Sequence, residues 1–348
     1  MNKRAFFADL LRVAATLAVI LIHVSSDYVE QWSSLAPTDW WSANVYDALS
    51  RWCVPMFVAL SGTFLLNPSK EVSLRTLFTK RLPRLVVPLV FWSVVYVCWN
   101  TYNATDDATP FDLAETLHTF YEGPVVYHFW YLYMLVGIYL FYPVLNTYLS
   151  SASEQSIKYF LLCCFATNTI FGAVELFTDA SIGIDLSAFT GYVGYFVLGY
   201  YLYNRSFTAR EITAAKVMLV LGGCISLVTP YLLFRIGFDA PKVIANDFTI
   251  DIVLEVIGLY VWTKSLREPT SERLKSIFGQ MSEASFGIYL IHVLLLEGLF
   301  QEDAILNLTP LHLPLFATIG IEGIAIFSIG YAIVWLLRLI TPLRWIVG

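Results

Sequence analysis

The chain has 348 residues, of which 57% are apolar and 14% are charged, with a net charge of −6. A soluble domain usually carries about a quarter charged residues, so this composition excludes an ordinary soluble enzyme and favours an all-α integral membrane protein. No basic patch points to nucleic acid as a partner. The five cysteines form no C-x-x-C pair, so we expect neither a disulfide framework nor a metal site.

Apolar runs recur along the whole chain, and each is long enough to cross a bilayer core of about 30 Å. They predict about ten transmembrane helices, at residues 6–26, 50–67, 82–100, 128–149, 157–177, 186–203, 214–235, 247–264, 277–299 and 313–340. Asp9 and Arg12 interrupt the first run, which favours an uncleaved helix over a signal peptide. We therefore expect residues 1–348 to form a single membrane domain, with no fused soluble domain, surrounded by lipid in the cell (inner or plasma) membrane.

The basic residues predict the orientation of these helices. If the chain crosses alternately from a cytoplasmic N-terminus, 18 of its 21 lysines and arginines are cytoplasmic, and Arg51, Arg235 and Lys242 are not. Both termini and the 67–81 connection are then cytoplasmic. The two longest connections, 27–49 and 101–127, lie on the other side, and long connections often carry function.

The first span contains ionisable residues that are costly inside a membrane. Asp9, Arg12 and His23 share one helix face, with Arg12 and His23 about 16 Å apart along the axis. This pattern predicts a cation near the cytoplasm and an imidazole near the far side. Two alternatives stay open: Arg12 could snorkel to the interface beside Asp9, and His23 could serve as a hydrogen-bonded structural residue.

The third span begins with Lys80-Arg81-Leu82-Pro83-Arg84. Proline suits a first helical turn, and a helix N-terminus attracts anions. Two arginines three residues apart can hold phosphate groups bidentately. The segment predicts a polyanion site on the cytoplasmic side, although an ordinary positive-inside cluster gives the same pattern.

Further polar side chains gather toward the outer end of the predicted spans. Ser61 and Gly62 are expected to break the second span, His128 and Trp130 open the fourth, and Tyr289 and His292 lie in the ninth. Five acidic residues also lie in or near spans: Glu175, Asp251, Glu255, Glu297 and Glu322. Each of these groups could have a hydrogen-bonded structural role instead of a functional one.

Five short segments follow one another in a recognisable order. They are Asp9-Leu-Leu-Arg12 with ten residues before His23, Val54-Pro-Met-Phe-Val-Ala-Leu-Ser-Gly62, Arg81-Leu-Pro-Arg84, His128-Phe-Trp-Tyr-Leu132 and Ser285-Phe-Gly-Ile-Tyr-Leu-Ile-His292. In these segments the chain resembles the membrane-bound acyltransferase 3 family, and in particular the branch with the enterobacterial common antigen O-acetyltransferase. The resemblance implies ten membrane helices with both termini inside.

The resemblance also implies an activity, which is transfer of an acyl group, usually acetyl, from cytosolic acyl-CoA to a hydroxyl of a cell-surface carbohydrate. The donor is acetyl-CoA or another acyl-CoA, and the acceptor is a carbohydrate or lipid-linked glycan outside the cytoplasm. A transporter or flippase for a small anion or a lipid-linked sugar would use similar buried charges and is the alternative.

Roles for individual residues follow from the matching motifs. His23 is expected to be catalytic, as a general base or as an acyl-histidine, together with Arg12 and Asp9. Arg81 and Arg84 are expected to hold the phosphates of CoA. The expected substrate contacts, some of them candidate oxyanion donors, are Ser61, His128, Trp130, Tyr289 and His292.

Overall fold

The computed structural model describes residues 5–69, 72–103, 118, 120–178, 191–238, 248–300 and 313–348. These residues form helices and turns, with no strand among them. The longer helices are α1 (Phe6–Glu30), α2 (Pro37–Ala48), α3 (Cys53–Leu65), α4 (Pro83–Asn103), α5 (Trp130–Ser151), α6 (Glu154–Thr178), α7 (Val193–Tyr203), α8 (Ala209–Arg235), α9 (Ile250–Ser265), α10 (Glu272–Leu299) and α11 (Leu315–Leu339).

Eight helical segments in the described residues are long and apolar enough to cross a membrane. Seven of them each match one predicted span, and the eighth, Pro37–Leu65, contains most of the predicted span 50–67 as α3 and adds α2 before it. The two other predicted spans, 186–203 and 247–264, contain α7 and α9, and their first residues lie outside the described part of the chain. The chain is an all-helical, multi-pass membrane protein; ten crossings and cytoplasmic termini stay predictions.

The connection predicted at 27–49 contains a helix. Pro37 occupies the first turn of α2, where a missing N–H costs nothing. The helix buries Trp40, Asn44 and Asp47, and the Trp40 indole N–H donates to the Val29 carbonyl at 3.0 Å. Because α2 packs on other helices instead of on lipid, it can contain polar residues. Its sequence therefore has no long apolar run that would predict a helix.

The break expected at Ser61-Gly62 does not occur, since α3 continues to Leu65. Gly62 and Gly199 instead bring α3 and α7 into backbone contact. A β-carbon at Gly62 would overlap the Phe196 carbonyl oxygen, and one at Gly199 would overlap the carbonyl oxygen of Ala59. Small residues permit such close helix packing in membranes, so packing explains Gly62.

Candidate functional site

A basic cavity of about 700 Å³ lies where α1, the first turn of α4 and the middle of α10 meet the end of α11 and the turn Arg344–Val347. Its lining includes four arginines: Arg12, Arg84, Arg338 and Arg344. Glu283 also lines it and forms an ion pair with Arg338 at 3.2 Å. Even with Glu283 on Arg338 and Asp9 on Arg12, four arginines leave an excess of positive charge, so this cavity suits a polyanion. We call it the basic mouth.

The structure places the two arginines of the Arg81-Leu-Pro-Arg84 segment in different surroundings. Arg84 lines the basic mouth from the first turn of α4. Arg81 ends the π-helical turn Leu77–Arg81, and its guanidinium lies 4.9 Å from the centre of the Tyr142 ring. It belongs to the lining neither of the mouth nor of the cavity next to it. Arg338 and Arg344, which the sequence offered only as signals of orientation, lie in the mouth instead.

A narrower cavity of about 270 Å³ adjoins the mouth and shares Arg12 and Arg84 with it. Its walls come from α1, α3, α4, α5 and α10 and are mostly apolar. The polar groups on them include Ser61, Tyr131 and Tyr289. This inner cavity has the shape and character to take a thin, largely apolar chain whose charged end stays at the mouth.

Arg12 is held at the border of these two cavities. One of its amino groups donates to the Ser282 hydroxyl at 2.7 Å, and it pairs with Asp9 at 3.6 Å. Asp9 is only 4% exposed. The pairing with Asp9 that the sequence suggested is therefore present. The contacts with Asp9 on α1 and with Ser282 on α10 together hold the Arg12 guanidinium in a position that faces both cavities.

Three histidines from distant parts of the chain meet beyond the inner cavity. The ring centre of His292 lies 5.1 Å from that of His23 and 4.9 Å from that of His128. His23 comes from α1, His128 from the 3-10 turn before α5, and His292 from α10. We call this group the histidine cluster. In the part of the chain that the structure describes, no group of three His, Cys, Asp or Glu is arranged to hold a metal ion.

Hydrogen bonds orient the cluster. The Tyr289 hydroxyl donates to the His128 carbonyl oxygen. His292 Nδ1 lies 2.6 Å from the Tyr289 carbonyl oxygen. A carbonyl oxygen only accepts, so Nδ1 carries the proton and Nε2 presents a lone pair. That nitrogen and both ring nitrogens of His128 are buried without a hydrogen-bond partner. Such groups are rare in proteins and often belong to functional sites.

A third cavity, of about 410 Å³, lies on the other side of the cluster. His23 lines it together with Arg51, Trp130 and Tyr192. The rings of Trp130 and Tyr192 lie 5.5 Å apart. Arg51 forms two hydrogen bonds to the buried Asp47, at 2.7 and 2.9 Å. We call this space the outer cavity. Sequence reasoning missed Arg51 and Tyr192, because neither follows a motif that marks a site.

The predicted site residues thus line a path through the helices. Arg12 and Arg84 lie at its basic end, Ser61 and Tyr289 in the inner cavity, and the three histidines in the middle. Trp130 lies in the outer cavity. Asp9 forms an ion pair with Arg12. Arg81 does not line any of the three cavities. The Tyr289 ring, 5.5 Å from His128 and 5.8 Å from His292, separates the inner cavity from the cluster.

No curated protein and no solved structure matches this chain at a significant level. The family model described as an acyltransferase domain matches residues 6–338. That range contains every residue of the path described above except the last turn. The chain therefore belongs to the acyltransferase 3 family.

Proposed function

We propose that the protein transfers an acetyl group, or another short acyl group, from cytosolic acyl-CoA to a hydroxyl of a cell-surface carbohydrate or its lipid-linked precursor. Family membership supports acyl transfer in general. The observation that carries the more specific proposal is the series of spaces along one path: the basic mouth, the inner cavity, the histidine cluster and the outer cavity. Such a path lets two substrates reach one reaction centre from opposite sides.

Acyl-CoA fits the inner half of this path. One end of CoA carries several phosphate charges, which the guanidinium groups of Arg12, Arg84, Arg338 and Arg344 can bind by charge-assisted hydrogen bonds. The thin pantetheine arm then occupies the inner cavity. Its thioester end then passes the Tyr289 ring to reach the histidine cluster, where the acceptor can attack it.

The acceptor fits the outer cavity. Aromatic rings such as those of Trp130 and Tyr192 offer apolar faces on which sugar rings pack. The Arg51 guanidinium, fixed by Asp47, offers N–H groups toward the hydroxyls of a sugar. A carbohydrate hydroxyl bound there lies within reach of His23.

The reaction then proceeds by attack of the acceptor oxygen on the thioester carbonyl. His23 accepts the hydroxyl proton as a general base, a role that imidazole performs well near neutral pH. The new C–O bond forms, the C–S bond breaks, and the CoA thiolate leaves into the inner cavity. An acyl group carried briefly on a His23 nitrogen gives the same overall balance.

For the protons to balance, one proton must move from the outer cavity to the inner cavity in each turnover. The acceptor loses a proton in the outer cavity, and the thiolate needs one in the inner cavity. His292 and His128 lie between these spaces, and their unpartnered ring nitrogens suit them to pass this proton on. The cluster thereby couples the two half-sites.

The charge that develops on the carbonyl oxygen requires hydrogen-bond donors. Two candidates already have partners: the Ser61 hydroxyl donates to the Phe57 carbonyl at 2.9 Å, and the Tyr289 hydroxyl donates to His128. Either would have to exchange that bond for one to the substrate. Trp130 lines the outer cavity and would serve only if the carbonyl reached that space.

The test is acyl-CoA turnover by the purified protein in lipid nanodiscs. Acetyl-CoA is supplied with a panel of glycan acceptors, thiol release is followed with a thiol reagent, and the product is examined by mass spectrometry. The proposal expects thiol release that depends on one acceptor and yields its O-acetyl ester. A transporter or flippase would leave the thioester intact with every acceptor, and this outcome would refute the proposal.

A further inference from the structure

A second polar cluster lies between α8 and α9, apart from the path described above. The Ser226 hydroxyl oxygen lies 2.7 Å from Asp251 Oδ2 and 3.0 Å from Glu255 Oε1. Ser226 is 4% exposed, Asp251 9% and Glu255 1%. Two carboxyl groups therefore converge on one hydroxyl inside the protein. Buried acids are expensive in a membrane protein and commonly bind an ion or a proton.

Glycines let α8 and α9 pack closely beside this cluster. A β-carbon at Gly222 would lie 2.7 Å from the Asp251 carbonyl oxygen and 2.8 Å from Glu255 Cγ. One at Gly258 would lie 2.6 Å from the Ala215 carbonyl oxygen. Because the two helix backbones are in close contact next to the cluster, little room remains there for a hydrated cation, whereas a proton needs none.

Counting protons favours one neutral carboxyl in this pair. A serine hydroxyl has one hydrogen, and one short, well-directed hydrogen bond uses it. Ser226 lies at hydrogen-bonding distance from two carboxyl oxygens, so the second contact needs a hydrogen from the carboxyl itself. In the part of the chain that the structure describes, no cation pairs with Asp251 or Glu255.

An independent observation assigns that proton to Glu255. Its other oxygen, Oε2, is buried without a hydrogen-bond partner, which is far less costly for a neutral acid than for a carboxylate. Asp251 lies in the first turn of α9, where the helix dipole favours negative charge. The neighbouring Asn44 of α2 is neutral; its amide donates to the Leu227 carbonyl at 2.9 Å, and its own oxygen is buried and unpartnered.

We propose that Asp251, Ser226 and Glu255 form a membrane-embedded proton-binding site in which Glu255 holds the exchangeable proton and Asp251 is ionised. The hydrogen bonds then run in one direction, from Glu255 to the Ser226 oxygen and from the Ser226 hydroxyl to Asp251. Asp251, in the first turn of α9, is 9% exposed and lies nearer the surface than Glu255, which is 1% exposed. Nothing in this proposal depends on acyl transfer.

Dicyclohexylcarbodiimide tests the site, because this apolar reagent modifies protonated carboxyl groups in apolar surroundings. Purified protein in detergent is treated at a series of pH values, and modified peptides are identified by mass spectrometry. We expect modification of Glu255 that declines as the pH rises. Glu272, whose side chain is 84% exposed, is the matched control and should remain unmodified. Modification of Glu255 that does not decline as the pH rises would overturn the proposal. If the reagent does not reach Glu255, the thermal unfolding of the Glu255→Gln and Glu255→Ala variants decides.

Two further labelling experiments test the charge of Asp251 and the identity of the bound ion. In Asp251→Asn the neighbouring negative charge is gone, so labelling of Glu255 should be lost at lower pH than in the wild type. A labelling profile unchanged by this substitution would contradict an ionised Asp251. Replacing choline chloride by sodium chloride should have no effect, and protection of Glu255 by sodium would show a sodium site in place of a proton site.

Glu255→Gln supplies an independent measurement. Glutamine has the shape of a protonated glutamate and can donate to Ser226, so the thermal unfolding temperature should stay within a few degrees of the wild-type value. Glu255→Ala should lower it clearly, because the Ser226 and Asp251 groups lose their partner. If Glu255→Gln destabilises the protein as much as Glu255→Ala, then Glu255 is ionised and the proposal is wrong.

Discussion

The imidazole rings of His23 and His292 lie 5.1 Å apart, with their planes tilted by 33°. His23 borders the outer cavity, and the ring of Tyr289, one helical turn before His292, borders the inner cavity. The two histidines therefore connect the spaces proposed for acceptor and donor. Their different positions give them different expected roles, which substitutions can separate.

His23→Ala should abolish acyl transfer while the protein folds and binds acyl-CoA. Loss of a general base typically lowers the rate by about 100- to 10,000-fold. Turnover and thermal unfolding are measured on the same preparations. His118→Ala is the matched control, since the His118 side chain is 68% exposed and pairs with Glu122. Near-normal turnover by a stable His23→Ala protein would show that the assignment is wrong.

His292→Gln should lower kcat and leave both KM values close to wild type, because it removes a proton carrier and keeps a side chain that can donate to the Tyr289 carbonyl. The solvent deuterium isotope effect on kcat should rise in this variant, since proton movement becomes limiting. If His292 binds the acceptor instead, the acceptor KM rises and the isotope effect does not change. If only His292 variants lack activity, the base lies on α10.

Arg84→Ala should weaken acyl-CoA binding by about 10- to 100-fold at low salt, which is the range for losing a charge-assisted hydrogen bond. The effect should shrink at high salt, and Arg84→Lys should restore it only in part. Binding is measured by calorimetry with a non-hydrolysable acyl-CoA analogue. An affinity equal to wild type would mean that Arg84 does not bind acyl-CoA and only contributes to the positive charge on the cytoplasmic side.

Arg81→Ala is the matched comparison. Its cation–π contact with Tyr142 is expected to contribute about 0.5–2 kcal/mol, so its loss should lower thermal stability more than acyl-CoA affinity. The sequence pattern predicted equal roles for the two arginines. Equal losses of affinity in Arg81→Ala and Arg84→Ala would favour that prediction over the geometry of the basic mouth.

Trp130→Ala should raise the KM for the acceptor by roughly 3- to 10-fold, the range expected for losing an aromatic contact, without changing acyl-CoA affinity. Tyr192→Ala should behave in the same way, because both rings face the outer cavity. Trp335→Ala provides the control, since Trp335 on α11 is half exposed and lies outside the three cavities. A change in acyl-CoA affinity alone would place these rings with the donor.

Gly62→Ala and Gly199→Ala should destabilise the protein by at least about 1–3 kcal/mol, because an added methyl group overlaps backbone in the α3–α7 contact. Thermal unfolding in detergent measures the effect. Gly137→Ala, where a β-carbon meets no atom within 4 Å, should match or exceed wild-type stability. Equal stability of all three variants would mean that α3 and α7 can separate freely.

The orientation predicts which sites an impermeant thiol reagent reaches in intact cells. Ser33→Cys, in the exposed turn after α1, should be labelled directly, and Ser69→Cys only after permeabilisation. Labelling of the parent protein corrects for its native cysteines. The opposite pattern would reverse the orientation that the basic residues predict, and with it the sides assigned to donor and acceptor. Asp107, in the predicted outer connection, lies outside the described residues.

The sequence by itself determined the membrane character of the chain and the position of most helices. These are local properties, because a segment in lipid must satisfy its backbone hydrogen bonds internally and must therefore be an apolar helix. The helix face shared by Asp9, Arg12 and His23 is local as well, since residue spacing within one helix fixes it. The sequence motifs also indicated the acyltransferase family to which the chain belongs.

Only the tertiary structure decided which of these groups meet. It separated Arg81 from Arg84, brought Arg338 and Arg344 to the basic mouth, and joined His128 and His292 to His23. The helix α2 escaped sequence analysis because its polar residues face other helices. The physical reason is common to all: a contact between distant helices depends on how closely and at what angle they pack, and no spacing along one helix encodes that.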